Sequence, residues 1–147
     1  INMIIETAQL SDYGGQVAMV DGSFDPMHDG HIAYFRRAAE FGIPVLCNVA
    51  SDSWTVTKHH VLLSQMQRGV VLDAIRFISF VHLSSTSTLE VLKILKPCLY
   101  IKGNDWVARG GVPQEEQDAC NSLNIEVKYL DTVLNSSTQL LANWSTQ

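Results

Sequence analysis

The sequence predicts an α/β fold, a doubly wound parallel sheet of about five strands with helices on both faces. Three observations lead there. Short apolar runs alternate with stretches of helical period along the whole chain. The connections between them are short and polar, with no repeat and no low-complexity tract. A length of 147 residues with 46% hydrophobic content suits one ordinary domain with a sizeable core.

The elements follow in order. Residues 1–15 carry little pattern and close on Gly14-Gly15, so they read as a lead segment ahead of a domain over 16–147. Val17-Ala18-Met19-Val20 reads as a buried strand, followed by a polar, glycine-rich turn and an amphipathic stretch from about Ile32 to Phe41. Pro44 to Val49 is a second apolar run, and Ser64 to Phe77 has helical period through Met66, Val70, Ala74 and Phe77. Ser79 to Leu83 is a short strand. Thr88 to Leu95 places Leu89, Leu92 and Leu95 on one side of a helix, which Pro97 stops. Leu99-Tyr100-Ile101 is the next strand. Pro113 opens a helix whose first turn holds Gln114, Glu115 and Glu116, where negative charge suits the helix dipole. Ile125 to Leu130 is the last strand, and Ser137 to Trp144 a closing helix.

Charge and composition narrow the function. Ten Lys and Arg against fifteen Asp and Glu give a net charge of −5, which speaks against general nucleic-acid binding. A focused pocket for a triphosphate remains compatible with it. No apolar run approaches the ~18 residues of a membrane span, and the opening residues lack the pattern of a secretory leader. Cys47, Cys98 and Cys120 form no metal-ligand or CxxC spacing, so they read as inert thiols in a reducing, cytoplasmic compartment.

In doubly wound sheets ligands sit at the carboxyl ends of the strands, which directs attention to the first loop. That loop is Gly22-Ser23-Phe24-Asp25-Pro26-Met27-His28-Asp29-Gly30-His31. It joins a strand to a helix start, where backbone N–H groups and the dipole favour phosphate. His28 and His31, three residues apart, fall on one side of a helical turn. Gly30 between them adds no side chain, so a triphosphate can approach the backbone. Transfer at a phosphorus centre builds charge on equatorial oxygens, and fixed donors aimed at that charge are the main protein contribution. An isolated HxxH pair would more often be incidental; the strand before it, the helix after it and the GSFD lead-in select the site reading.

GSFDPMHDGH resembles the GxFDxxHxGH signature of the cytidylyltransferase-like nucleotidyltransferases. Within them the chain is most similar to the glycerol-3-phosphate cytidylyltransferases and to the adenylyltransferase domain of ADP-heptose synthases. The likeness runs from about Val17 to Leu141. It implies a Rossmann-like domain in which His28 and His31 are catalytic, with Lys58, from the loop after the second strand, set against the phosphates. Gly22, Ser23, Phe24 and Gly30 would line the nucleotide cleft. Arg68 and Arg76, in QRGVVLDAIRF, resemble the family's arginine-bearing helix on the triphosphate side. KPCLYIKGNDW resembles the strand and loop near the base, which brings in Gly103 and Asp105. Ser136-Ser137-Thr138 matches the family's final Ser/Thr motif, with Ser137 and Thr138 receiving phosphates. Asp25 reads either as orienting magnesium or the first histidine, or as a turn cap.

The resemblance further implies Mg2+ as the accompanying ion, CTP as the donor with ATP as the alternative, a phosphorylated small alcohol or sugar of the glycerol-3-phosphate kind as the acceptor, and a homodimer. The Gly-x-Asp-Trp form of the loop favours CTP. The absence of an arginine in Asp131 to Asn135, together with the ADP-heptose likeness, favours ATP. Two other readings stand beside it. A class I aminoacyl-tRNA synthetase fragment shares the histidine turn, but no KMSKS-like motif occurs. A catalytically silent nucleotide-binding module would keep the fold without the chemistry.

Overall fold

The computed structural model describes residues 3–131. Its single sheet has six strands, all parallel, in the order β1-β4-β3-β2-β5-β6. These are β1 (Met3–Ile5), β2 (Ala18–Gly22), β3 (Val45–Val49), β4 (Phe80–Leu83), β5 (Leu99–Gly103) and β6 (Glu126–Leu130). The helices are α1 (Asp29–Ala39), α2 (Asp52–Thr55), α3 (Gln65–Asp73), α4 (Thr88–Leu95), α5 (Asp105–Ala108) and α6 (Gln114–Leu123), with a 3-10 helix over Thr7–Tyr13. Strand order reverses at β2: the chain winds outward through β3 and β4, then crosses back to place β5 on the other side of β2. The crevice between the carboxyl ends of β2 and β5 is therefore the switch point, where ligands bind in open sheets.

Period-2 alternation divides the core in two. Ala18, Val20, Val45, Cys47, Val49, Val81, Leu99 and Ile101 face α1 and α3. Met19, Leu46 and Tyr100 face the other way, onto Leu10 of the 3-10 helix, Val91, Leu92 and Leu95 of α4, and Cys120 of α6. Among the described residues no helix is long and apolar enough to cross a membrane.

Three sequence expectations change. The sheet gains a sixth strand, because residues 3–13 do not stand apart from the domain. Ile5 and Leu10 are buried in the second core, and β1 pairs with β4. A strand this short shows no alternation, so only its partner reveals it. The third helix ends at Asp73 rather than running to Phe77. Phe77 and Ile78 keep the apolar spacing because they pack on the first core from the turn that follows. α1 begins earlier than Ile32, with His28 as its N-cap. α4 spans the predicted residues and ends on Lys96, in the left-handed region at φ 51°, just before Pro97. The closing helix expected at 137–144, with Ser137 and Thr138, lies outside the described residues.

Candidate active site

The loop after β2 ends in a helix cap built from the two histidines. The Gly30 N–H donates to His28 Nδ1 at 3.0 Å, and the His28 N–H donates to His31 Nδ1 at 3.2 Å. Each Nδ1 is thus an acceptor, so the neutral ring carries its proton on Nε2. The backbone cap sets both tautomers. The rings stack with centroids 3.8 Å apart, and Phe24 meets His31 edge-on at 5.1 Å. His28 Nε2 is buried and has no hydrogen-bond partner.

Burial lowers both histidines. Desolvation pushes His31 down to about 3, and the neighbouring His28 adds to the effect. Desolvation also lowers His28, against the pull of Asp29. The resting pair is therefore neutral at pH 7, presenting two N–H donors where the α1 dipole already favours an anion.

The GSFD segment shapes this cap from below. Phe24 takes a left-handed backbone at φ 55° and is held there by burial against Phe35, with ring centroids 5.2 Å apart. A Cβ on Gly22 would lie 3.0 Å from the Phe24 ring, so any larger residue there requires the ring to shift. The Ser23 hydroxyl accepts from Thr55 Oγ1 at 2.9 Å.

Asp25, at the end of the GSFD segment, ties that loop to a distant one. Its carboxylate is fully buried and accepts the Leu62 and Leu63 N–H groups at 2.7 and 3.0 Å. Each of its two oxygens is thus engaged by a backbone N–H. Among the described residues no group of three His, Cys, Asp or Glu could hold a metal. Magnesium commonly reaches such enzymes on the substrate's phosphates with few protein ligands.

Arg68 is expected at the triphosphate, but its guanidinium is a buried clamp. It donates to the carbonyls of Leu63 at 3.1 Å, Ser23 at 2.8 Å and Ala50 at 2.9 Å, and pairs with Asp52 at 2.6 Å. A rigid fork of donors is what ties three loops together. Arg76 leaves the cleft altogether. It lies in the turn between α3 and β4, at the amino ends of the strands, over the Phe77 ring at 5.1 Å. The expected helix would have carried both arginines; the early stop at Asp73 separates them.

Lys58 follows α2 and stands over the Trp54 ring at 5.4 Å. Desolvation lowers it, and so do the cations of Arg109 and Lys102, while Asp21 and Asp105 oppose them. These causes place Lys58 in the same electrostatic neighbourhood as the loop after β5. In that loop Gly103 closes the strand and Asp105 opens α5, its carboxylate 3.9 Å from Arg109. Gly30 is buried within the first turn of α1.

The crevice floor holds groups that the sequence reading did not single out. Asp21 Oδ2 accepts from Thr88 Oγ1 at 2.8 Å and lies 3.8 Å from Lys102 Nζ. Asp21 Oδ1 accepts from Asn48 Nδ2 at 3.1 Å. Lys102 is buried and also lies 4.5 Å over the Trp106 ring. The Tyr100 hydroxyl donates to Glu116 at 2.7 Å, and burial raises that carboxyl above its usual range. The available signal was a break in alternation. On the second face, Met19 is followed by Asp21, Leu46 by Asn48, Phe80 by His82 and Tyr100 by Lys102, each at the carboxyl end of a strand.

A cytidylyltransferase-like family description matches residues 19–140. The chain belongs to the cytidylyltransferase-like family. The matched range takes in β2 from Met19 onward, the histidine cap and α1. The cytidylyltransferase-like chain is 28% identical over 142 residues to the bifunctional protein HldE of Campylobacter fetus, covering 94% of itself and 30% of that protein. It is 27% identical over 129 residues to HldE of Aliarcobacter butzleri, covering 84% of itself and 26% of that protein. It thus spans less than a third of these relatives. Among solved structures, a lipopolysaccharide core biosynthesis protein from Thermoplasma volcanium shares the fold. Its TM-score is 0.67 at 20% identity, covering 80% of this chain and 98% of that one.

Proposed function

We propose that this chain transfers a nucleoside monophosphate from ATP to a phosphorylated sugar and releases pyrophosphate. The observation that carries this reading is the buried, unpartnered Nε2–H of His28 beside the Nε2–H of His31. A buried donor without a partner is costly unless a ligand completes it. An oxygen of the acceptor phosphate attacks the α-phosphorus, and the bond to the bridging oxygen breaks, so pyrophosphate leaves with that electron pair. Charge grows on the equatorial oxygens, which the two imidazoles meet as preorganised donors. Magnesium, when bound, neutralises phosphate charge. Lys58 attracts the triphosphate to the rim, and Arg68 and Asp25 hold the loops that form the wall. Ser137 and Thr138 would add hydroxyls on the β and γ side.

The likeness to HldE, itself named a bifunctional protein, supports a sugar phosphate and ATP. The second reading is CTP with a glycerol-3-phosphate-like acceptor, which the Gly103-Asn104-Asp105-Trp106 loop favours. The test is pyrophosphate release from equal CTP and ATP, across sugar and polyol phosphates, with products identified by mass. An ADP-linked sugar is the expected product, and a CDP-linked alcohol selects the second reading. Triphosphate binding without release under any pairing reduces the chain to a silent binding module.

A further inference from the structure

Behind the crevice floor a line of hydrogen bonds crosses three strands. Thr7 Oγ1 meets His82 Nε2 at 2.8 Å, His82 Nδ1 meets Asn48 Oδ1 at 2.8 Å, and Asn48 Nδ2 meets Asp21 Oδ1 at 3.1 Å. Asn48 and His82 are each 1% exposed, so no solvent substitutes for these partners. The direction of the line follows from its end. The Asp21 carboxylate can only accept, so the Asn48 amide turns its NH2 toward it and its oxygen toward His82. His82 Nδ1 must then carry the ring proton, and Nε2 must accept the Thr7 hydroxyl. Burial lowers His82 to about 4, which agrees with a neutral ring.

Two buried polar side chains at the carboxyl ends of β3 and β4 cost desolvation, and apolar residues would fit there better for stability alone. What the relay secures is one orientation of a single carboxylate. Without Asn48 the Asp21 group could rotate about its side-chain bonds. With Asn48 on one oxygen and Thr88 on the other, it holds one pose at the switch-point crevice. Lys102, 3.8 Å from the same carboxylate, is held with it. Its ammonium has three donors and makes one long bond, to the Asp21 carbonyl at 3.5 Å, so it keeps donor capacity for a ligand.

We propose that Asn48 and His82, with Thr7 behind them, are positioning residues that fix Asp21 and Lys102 against the acceptor. This rests on the transferase reading above. Period-2 alternation puts Asp21, Asn48, His82 and Lys102 on the face of Met19, Leu46, Phe80 and Tyr100, opposite the face that packs on α1, and in this proposal the second face meets the acceptor.

The experiment has a part that needs no turnover. Nitrogen-15 NMR of the imidazoles in the wild-type protein is expected to show His82 as the Nδ1–H tautomer. The opposite tautomer overturns the relay whether or not the protein is a transferase. In the kinetic part, Asn48→Leu is expected to raise the acceptor KM about tenfold or more, the scale for a lost bond to a charged group. Triphosphate affinity by calorimetry should stay unchanged. Thr7→Val, at the exposed outer end, should leave folding intact and raise the same KM by about two- to threefold, the scale of a weaker, indirect loss. An unchanged acceptor KM in a folded Thr7→Val protein together with Asn48→Leu overturns the proposal, as does a parallel loss of triphosphate affinity and acceptor KM. A wild type that binds triphosphate, shows the Nδ1–H tautomer and never turns over overturns the transferase reading and the acceptor role with it, while the hydrogen-bond line stands.

Discussion

The two sides of the crevice are built on different principles. On the α1 side, ten consecutive residues, Gly22 to His31, make the strand end, the tight loop and the helix cap. The cap itself is local, down to the backbone N–H groups that set the histidine tautomers, while Ser23 and Asp25 tie the loop to Thr55, Arg68, Leu62 and Leu63 farther along the chain. On the opposite side, Asp21, Asn48, His82, Thr88 and Lys102 come from β2, β3, β4, α4 and β5, and they meet only because strand order places those elements side by side. In the proposed transfer the first side meets the charge that develops at phosphorus. The second is a fixed polar floor made at the expense of apolar packing.

The largest expected effect tests the local side. His28→Asn and His31→Asn each keep a side-chain acceptor near the Nδ1 position for the helix cap and remove the Nε2 donor. Each should lower kcat by about 10²-fold or more while triphosphate affinity changes little. Folded variants with near-normal kcat would show that the cap is only structural.

The next effect separates clamps from ligands. Arg68→Ala strips three backbone carbonyls of their donor, and unfolding in urea should show a loss of about 2–4 kcal/mol. Arg68→Lys should recover little, since one ammonium cannot reproduce the fork. A stable Arg68→Ala protein with weakened triphosphate binding would return Arg68 to the phosphates. Lys58→Ala should weaken triphosphate affinity by about 1.5–3 kcal/mol with no change in stability, read by calorimetry.

A pH experiment samples both sides at once. His31 is lowered to about 3 and His82 to about 4, from 6.5 in an unfolded chain. Between those values the unfolded state binds more protons, so folding stability is fully present above 6.5 and declines as pH falls below it. The thermal midpoint should be level above 6.5 and fall on acidification toward about 5, before most carboxylates titrate. A level midpoint across that window would contradict both buried neutral rings.

The smallest effect is the most discriminating for the sequence reading. Arg76→Ala should leave triphosphate affinity within about twofold, because the side chain sits over Phe77 at the far end of the strands. A larger loss would place the arginine in the cleft after all.

The sequence by itself determined the fold class, the α4 helix with its stop before Pro97, and the placement of both histidines at a helix start. These depend on periodicity and on residues adjacent in the chain. It also carried the family, through the GSFDPMHDGH segment. Tertiary structure alone decided what the remaining charged residues do. Arg68 and Arg76 share one apparent helix in sequence, yet one is buried under the loop and the other lies beyond the end of α3. Asp25 belongs to the signature and still turns inward, because the Leu62 and Leu63 N–H groups reach it from a distant loop. Asp21, Asn48 and His82 look unremarkable along the chain; parallel register aligns Asp21 with Asn48 and Asn48 with His82. Local pattern encodes which face a residue takes, while the partner across that face is set by strand order, and a buried charge takes its role from its partner.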